Sequence, residues 1–140
     1  MLNLPARPAV NSSPENASFK FPRSSRLLKH ADFQAVYRQG KKHFSGNMIA
    51  FYRESEGRVP RVGLTVGKVL GGAVERNRIR RRMRAAVQRR LMELARPLDV
   101  VLHPRKSVLQ LKFEQLDAEI GQVFAAVQRD KAQRSKGSAR

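Results

Sequence analysis

Residues 73–90 read AVERNRIRRRMRAAVQRR, and the fold and the function both turn on this stretch. On a helical wheel Ile79, Met83, Ala86 and Val87 fall on one face, joined further along by Leu94. The stripe predicts a long helix from Gly72 or Ala73 to Ala95, ended by Pro97, with its apolar side packed on a sheet. The opposite side is cationic: Arg76, Arg78, Arg80, Arg81, Arg82 and Arg84 form one run, and Arg89 and Arg90 follow. Like charges four residues apart, such as Arg76, Arg80 and Arg84, cost roughly 0.2–0.5 kcal/mol each in an isolated helix. Cations near a helix start also oppose its dipole. Only Glu75 and Glu93 are close enough in sequence to relieve them. A polyanion docked at this end would meet the guanidinium groups and the free N–H groups of the first turn together.

The whole chain repeats the imbalance. Its 140 residues hold 29 Lys+Arg against 11 Asp+Glu, a formal charge of 29 − 11 = +18. The cations are 20 Arg and 9 Lys, and arginine is preferred where a planar fork grips phosphate oxygens. Nucleic acid is therefore favoured over lipid. A hydrophobic content of 41% supports one modest core and excludes a wholly disordered polycation. No run of about 18 apolar residues is present, and the start lacks a secretory pattern, so a soluble, cytoplasmic protein without a membrane partner is expected. The absence of cysteine excludes disulfides, thiolate zinc sites and a cysteine nucleophile. His30, His43 and His103 are scattered, and Asp32, Glu75 and Asp99 are not grouped, so neither a catalytic residue nor a metal site is assigned to the protein; Asp99 reads as a structural charge.

Outward from the arginine stretch, three zones emerge. Residues 1–23 hold four of the seven prolines and read as a disordered extension; residues 24–128 read as one domain; residues 129–140 read as a basic disordered tail. Within the domain, His30–Gln39 predicts a helix with Phe33, Val36 and Tyr37 on one face, a poor N-cap and Gly40 as a left-handed stop. Lys41 to Glu54 reads as a short strand, a Gly46-Asn47 turn, and a second strand from Asn47 to Arg53. A strand at Arg61–Val66 reads as its hairpin partner, Leu98–Leu102 as a buried strand, and Lys112–Gln128 as a helix with Phe113, Leu116, Ile120, Val123, Phe124 and Val127 on its apolar stripe. The order α-β-β-β-α-β-α gives an α/β (α+β) sandwich, a small mixed sheet of about four strands with three helices.

Gly63 to Gly72 invites comparison with a nucleotide-binding P-loop and fails it: the glycine spacing is one short, and Val69 stands where a magnesium-binding hydroxyl belongs, so no nucleotide cofactor is expected. The run Gly71-Gly-Ala-Val-Glu-Arg-Asn-Arg-Ile-Arg-Arg-Arg-Met-Arg84 instead resembles the signature of the bacterial ribonuclease P protein family, an Arg-Asn-Arg helix after a Gly-x-Ala-Val turn. RLLKHADFQAVYRQG resembles that family's first helix, and Arg61-Val-Gly-Leu-Thr-Val its strand before the motif. The resemblance covers about Arg26 to Gln128. It implies a ribonucleoprotein endoribonuclease in which a catalytic RNA subunit, with its own Mg2+, removes the 5′ leader of precursor tRNA while the protein assists and binds no cofactor itself. It further implies a left-handed β-α-β crossover.

Carried over residue by residue, the resemblance assigns catalytic-RNA binding to Arg76, Asn77, Arg78, Arg80, Arg81, Arg84 and Lys68. It assigns the single-stranded leader to a cleft with Phe33, Tyr37, Phe51 and Lys29. Gly67-Lys68-Val69 stands where the family often has Ser-Lys-Lys, and Gly72 where Asn or Lys is common. Aromatic rings among cations suit leaders of unrelated sequence, because every base has a π-face. Read without the family, Phe33 and Tyr37 one turn apart are a core pair more often than a base-stacking platform, and a structural RNA-binding module or a DNA-compacting protein are the competing readings of the whole chain.

Overall fold

The apolar run ending at His103-Pro104 forms the centre of the sheet rather than its margin. In the computed structural model, which describes residues 23–138 apart from residues 56 and 58, this strand is β4, Leu98–Pro104. Six of its seven residues are buried, as a strand covered on both faces requires. β1 (Lys41–Phe44) and β2 (Met48–Glu54) form an antiparallel hairpin, β2 pairs antiparallel with β4, and β3 (Arg61–Leu64) pairs parallel with β4. The order is β1-β2-β4-β3. The expected hairpin of β2 with β3 is therefore corrected. β4 lies between them, because its continuous apolar run needs neighbours on both sides, and β2 turns back on β1 through Ser45–Asn47 instead.

Three helices cover the sheet: α1 (His30–Gln39), α2 (Ala73–Arg90) and α3 (Phe113–Ser138). Alternation along the strands decides what each helix meets. Met48, Ala50 and Tyr52 of β2 and Leu98, Val100 and Leu102 of β4 join Ile79, Met83, Ala86 and Val87 of α2 and Leu116, Ile120, Val123, Phe124 and Val127 of α3 in one core. The opposite face packs Val101 against Leu27 and Val36, with Phe33, Tyr37 and Phe51 at the margin. This settles the β2 register: Tyr52 is buried under α2 and α3, and Phe51 faces α1. Burying side chains of this size contributes about 1.5–3 kcal/mol each, so the two clusters hold the layers together.

A buried ion cluster fastens α1 to its face. Asp99 is fully buried and accepts from Arg61 Nε (2.9 Å), Arg61 Nη2 (2.9 Å) and Arg53 Nη2 (3.3 Å), while Arg61 Nη1 reaches Asp32 of α1 (3.2 Å). Asp99 is thus the structural charge expected from the sequence.

Several boundaries differ from the sequence reading. Gly40 ends α1 in extended backbone (φ −92°, ψ 179°), not as a left-handed stop. Glycine is required there by contact, since a Cβ would lie 2.4 Å from the Tyr52 carbonyl oxygen and 2.5 Å from that of Val36. α2 tightens into a 3-10 turn at Leu91–Glu93 before Pro97, and β3 stops at Leu64 although Val66 is buried. α3 continues to Ser138, past the Gln128 end expected for it, and between Gln128 and Gly137 the sequence has neither proline nor glycine to break it. The proline-rich extension lies outside the described residues, save that Arg23 opens a 3-10 turn, Arg23–Ser25.

Candidate nucleic-acid interface

α2 turns its apolar stripe to the core and leaves its N-terminal half to solvent. Asn77, Arg78, Arg81 and Arg84 are exposed, and Arg76 and Arg80 are partly buried. The acid of the first turn is engaged by other groups: Glu75 accepts from the Gly72 N–H (3.1 Å) and pairs with Lys106 (3.4 Å). The Gly72 N–H and then Lys106 hold its carboxyl below the usual range. Among the described residues, Arg76, Arg78, Arg80, Arg81 and Arg84 form no ion pair with a carboxylate. Arg80 Nη1 donates to Asn77 Oδ1 (2.9 Å), which fixes the fork of one guanidinium. The Arg76 Nε is buried without a hydrogen-bond partner among the described residues. Arg82, toward α3, donates to the Leu111 carbonyl and serves the fold. Lys68 is exposed in the 3-10 turn Lys68–Leu70 that leads into α2. The structure therefore keeps the expected RNA-contact residues of α2 off its core face, with Arg80, Arg84, Arg81 and Asn77 on one flank and Arg78 on the other, each fork able to take phosphate oxygens two at a time.

The last turn of α2 is different. Arg90 donates to both oxygens of Asp117 (3.2 and 3.0 Å) and to Glu93 (2.7 Å), and Arg89 reaches Asp117 at 3.4 Å. Asp117 comes from α3, 27 residues beyond Arg90, which is why local sequence reading finds only Glu93.

The second surface lies where α1 leaves part of its sheet face uncovered. Tyr37 and Phe51 meet edge to face, with centroids 5.2 Å apart at 83°, and His103 packs 4.7 Å from Phe51. The Tyr37 hydroxyl hydrogen-bonds to Thr65 Oγ1 (3.1 Å) and His103 Nε2 (2.8 Å). Lys42 Nζ stands 5.6 Å from the Phe51 centroid, and Phe44, two residues on along β1, is 63% exposed. The Phe33 ring lies directly on Gly63, where a Cβ would come within 2.6 Å of its Cζ. Phe33, Tyr37 and Phe51 are thus gathered as expected. Lys29 is exposed at the N-cap of α1, with no ion pair or ring contact among the described residues.

Two members of this cleft escaped sequence reading: His103 and Thr65. A signal for the first was present, since alternation along LDVVLHP places Asp99, Val101 and His103 on one face, but which face depends on the pairing with β2. Burial lowers the His103 pKa and keeps the ring neutral at pH 7. No group of three or more His, Asp or Glu among the described residues is placed to hold a metal ion, and no described helix is long and apolar enough to cross a membrane.

Comparison with known proteins agrees with this geometry. The family model described as Ribonuclease P matches residues 21–128. The ribonuclease P protein component of Finegoldia magna is 33% identical over 113 residues, covering 80% of this chain and 98% of that one. That of Desulforapulum autotrophicum is 36% identical over 112 residues, covering 80% and 96%. Among solved structures, the RNase P protein of Staphylococcus aureus superposes with a TM-score of 0.64 at 25% identity, over 74% of this chain and 94% of that one. The RNase P protein of Thermotoga maritima shares the fold, with a TM-score of 0.65 at 22% identity over 71% and 94%. With a family match over residues 21–128 and two such relatives covered almost end to end, this chain belongs to the ribonuclease P protein family.

Proposed function

We propose that the chain is the protein subunit of a ribonuclease P holoenzyme that removes the 5′ leader from precursor tRNA in the cytoplasm. The chain binds the catalytic RNA through Arg76, Asn77, Arg78, Arg80, Arg81, Arg84 and Lys68. It guides the single-stranded leader through the cleft of Phe33, Tyr37 and Phe51, with Lys29 and Lys42 beside the backbone. Hydrolysis belongs to the RNA and its Mg2+; the protein contributes affinity and placement, and none of its side chains acts as nucleophile or base. One observation carries this reading: among the described residues Arg76, Arg78, Arg80, Arg81 and Arg84 of α2 form no ion pair with a carboxylate, so this charge cluster is left without a bonded counter-charge. RNA phosphates supply the missing counter-charge.

The test is reconstitution with the catalytic RNA of a bacterial ribonuclease P. Adding the protein at low magnesium should raise the rate of leader removal and tighten precursor binding more than mature tRNA binding. Tight binding to that RNA with no gain in cleavage would make the chain an RNA-binding module only.

A further inference from the structure

Beside the edge strand β3 lies a cavity of about 210 Å³ that neither the core nor the aromatic cleft uses. Its polar lining comes from Arg26, ahead of α1, and from Arg80 and Arg84, one turn apart on α2; Leu27, Leu28 and Val62 contribute apolar walls. No carboxylate among the described residues lines it. Arg26 is held in register by a parallel bridge to Val62, and the next residue, Leu27, donates its N–H to the Val62 carbonyl (3.1 Å) and is buried. The side chain thus leaves a fixed backbone, and among the described residues it forms no ion pair. Arg84 forms no ion pair among the described residues, and Arg80 spends one nitrogen on Asn77.

We propose that Arg26, Arg80 and Arg84 form a seat for one phosphodiester group of an RNA backbone, joining the segment before α1 to the arginine helix as a single binding surface. This rests on the reading of α2 as an RNA face and adds to it a residue from another part of the chain. The chemistry is specific to phosphate. Three arginines line one small concavity, and an oxyanion with several acceptor oxygens takes terminal guanidinium nitrogens from more than one of them.

The experiment measures binding of the full-length protein to a bacterial ribonuclease P RNA across a salt series, with thermal melting of every variant. Arg26→Ala should weaken binding about tenfold at physiological salt and lower the slope of log affinity against log salt by about one. Arg26→Lys should restore the slope while remaining several-fold weaker, because an ammonium keeps the charge and lacks the fork. The pair Arg26→Ala/Arg84→Ala should lose less than the product of the single losses, since both touch one phosphate. Unchanged affinity and slope in Arg26→Ala, or multiplicative losses in the pair, overturn the seat. If Arg26→Ala melts early, Arg26→Lys decides: a slope that stays reduced overturns it. Arg78→Ala and Arg81→Ala, outside the cavity, separate the two claims. If they weaken binding while Arg26 variants do not, the seat alone fails; if they too have no effect, the RNA face fails with it.

Discussion

At the C-terminal end of α2, Arg90 is fastened to both oxygens of Asp117 and to Glu93, whereas at the N-terminal end Arg76, Arg78, Arg80, Arg81 and Arg84 reach no carboxylate among the described residues. The two ends share a residue type, a helix and a core. They differ in what packs alongside: α3 carries Asp117 to the last turn, and Glu75 at the first turn is engaged by Gly72 and Lys106. The helix dipole sharpens the contrast, because it favours cations at the C-terminus and opposes them at the N-terminus. Arginines at one end therefore complete the fold, and arginines at the other form no ion pair among the described residues. A charge run in a sequence is not one object; tertiary structure divides it into charges already satisfied and charges still available.

Substitution at the two ends should give opposite profiles. Replacing Arg76, Arg80 and Arg84 together by alanine is expected to weaken binding to the catalytic RNA by on the order of 100-fold at physiological salt, with the melting temperature unchanged or raised. A comparable loss of stability would show that these arginines serve the fold after all. A second contrast sets α2 against the aromatic cleft. Phe51→Ala is expected to cost about 1–3 kcal/mol in binding precursor tRNA and much less in binding mature tRNA, measured as paired dissociation constants with the reconstituted holoenzyme. Equal losses on both substrates would return Phe51 to the core.

Asp117→Asn tests the satisfied end. It should destabilise the protein by about 1 kcal/mol in a denaturant titration, since the bonds to Arg90 are only partly shielded from water, and should leave RNA affinity unchanged. A smaller effect is expected from pH. Burial lowers the His103 pKa below the ordinary 6.5, so the unfolded chain takes up that proton first as pH falls. Stability should be full above about pH 7 and decline as pH drops through 6.5 toward the lowered value. His103→Val should flatten that decline, and an unaltered profile would assign it to other groups.

Legibility in the sequence followed the range of the interactions. α1 ends where periodicity places its ends, and the apolar faces of α2 and α3 are those of the helical wheel, because a helix declares its buried side within a few turns. Strand pairing is set by distant partners, so β4 between β2 and β3, the contact that makes Gly40 a glycine, and the face of Phe51 all lay beyond local reading. The arginine surface was legible residue by residue. Its division was not, since Asp117 is far from Arg90 in sequence, and neither was His103, whose partners Tyr37 and Phe51 come from α1 and β2.

The most direct test compares salt dependence at the two ends of α2. Single alanine substitutions at Arg76, Arg80 and Arg84, and separately at Arg89 and Arg90, are each titrated with the catalytic RNA at several salt concentrations. The account predicts that each N-terminal substitution at a phosphate contact lowers the slope of log affinity against log salt by about one, and that Arg89 and Arg90 variants keep the parent slope. Equal slopes for all five variants, or a parent slope near zero, would contradict it.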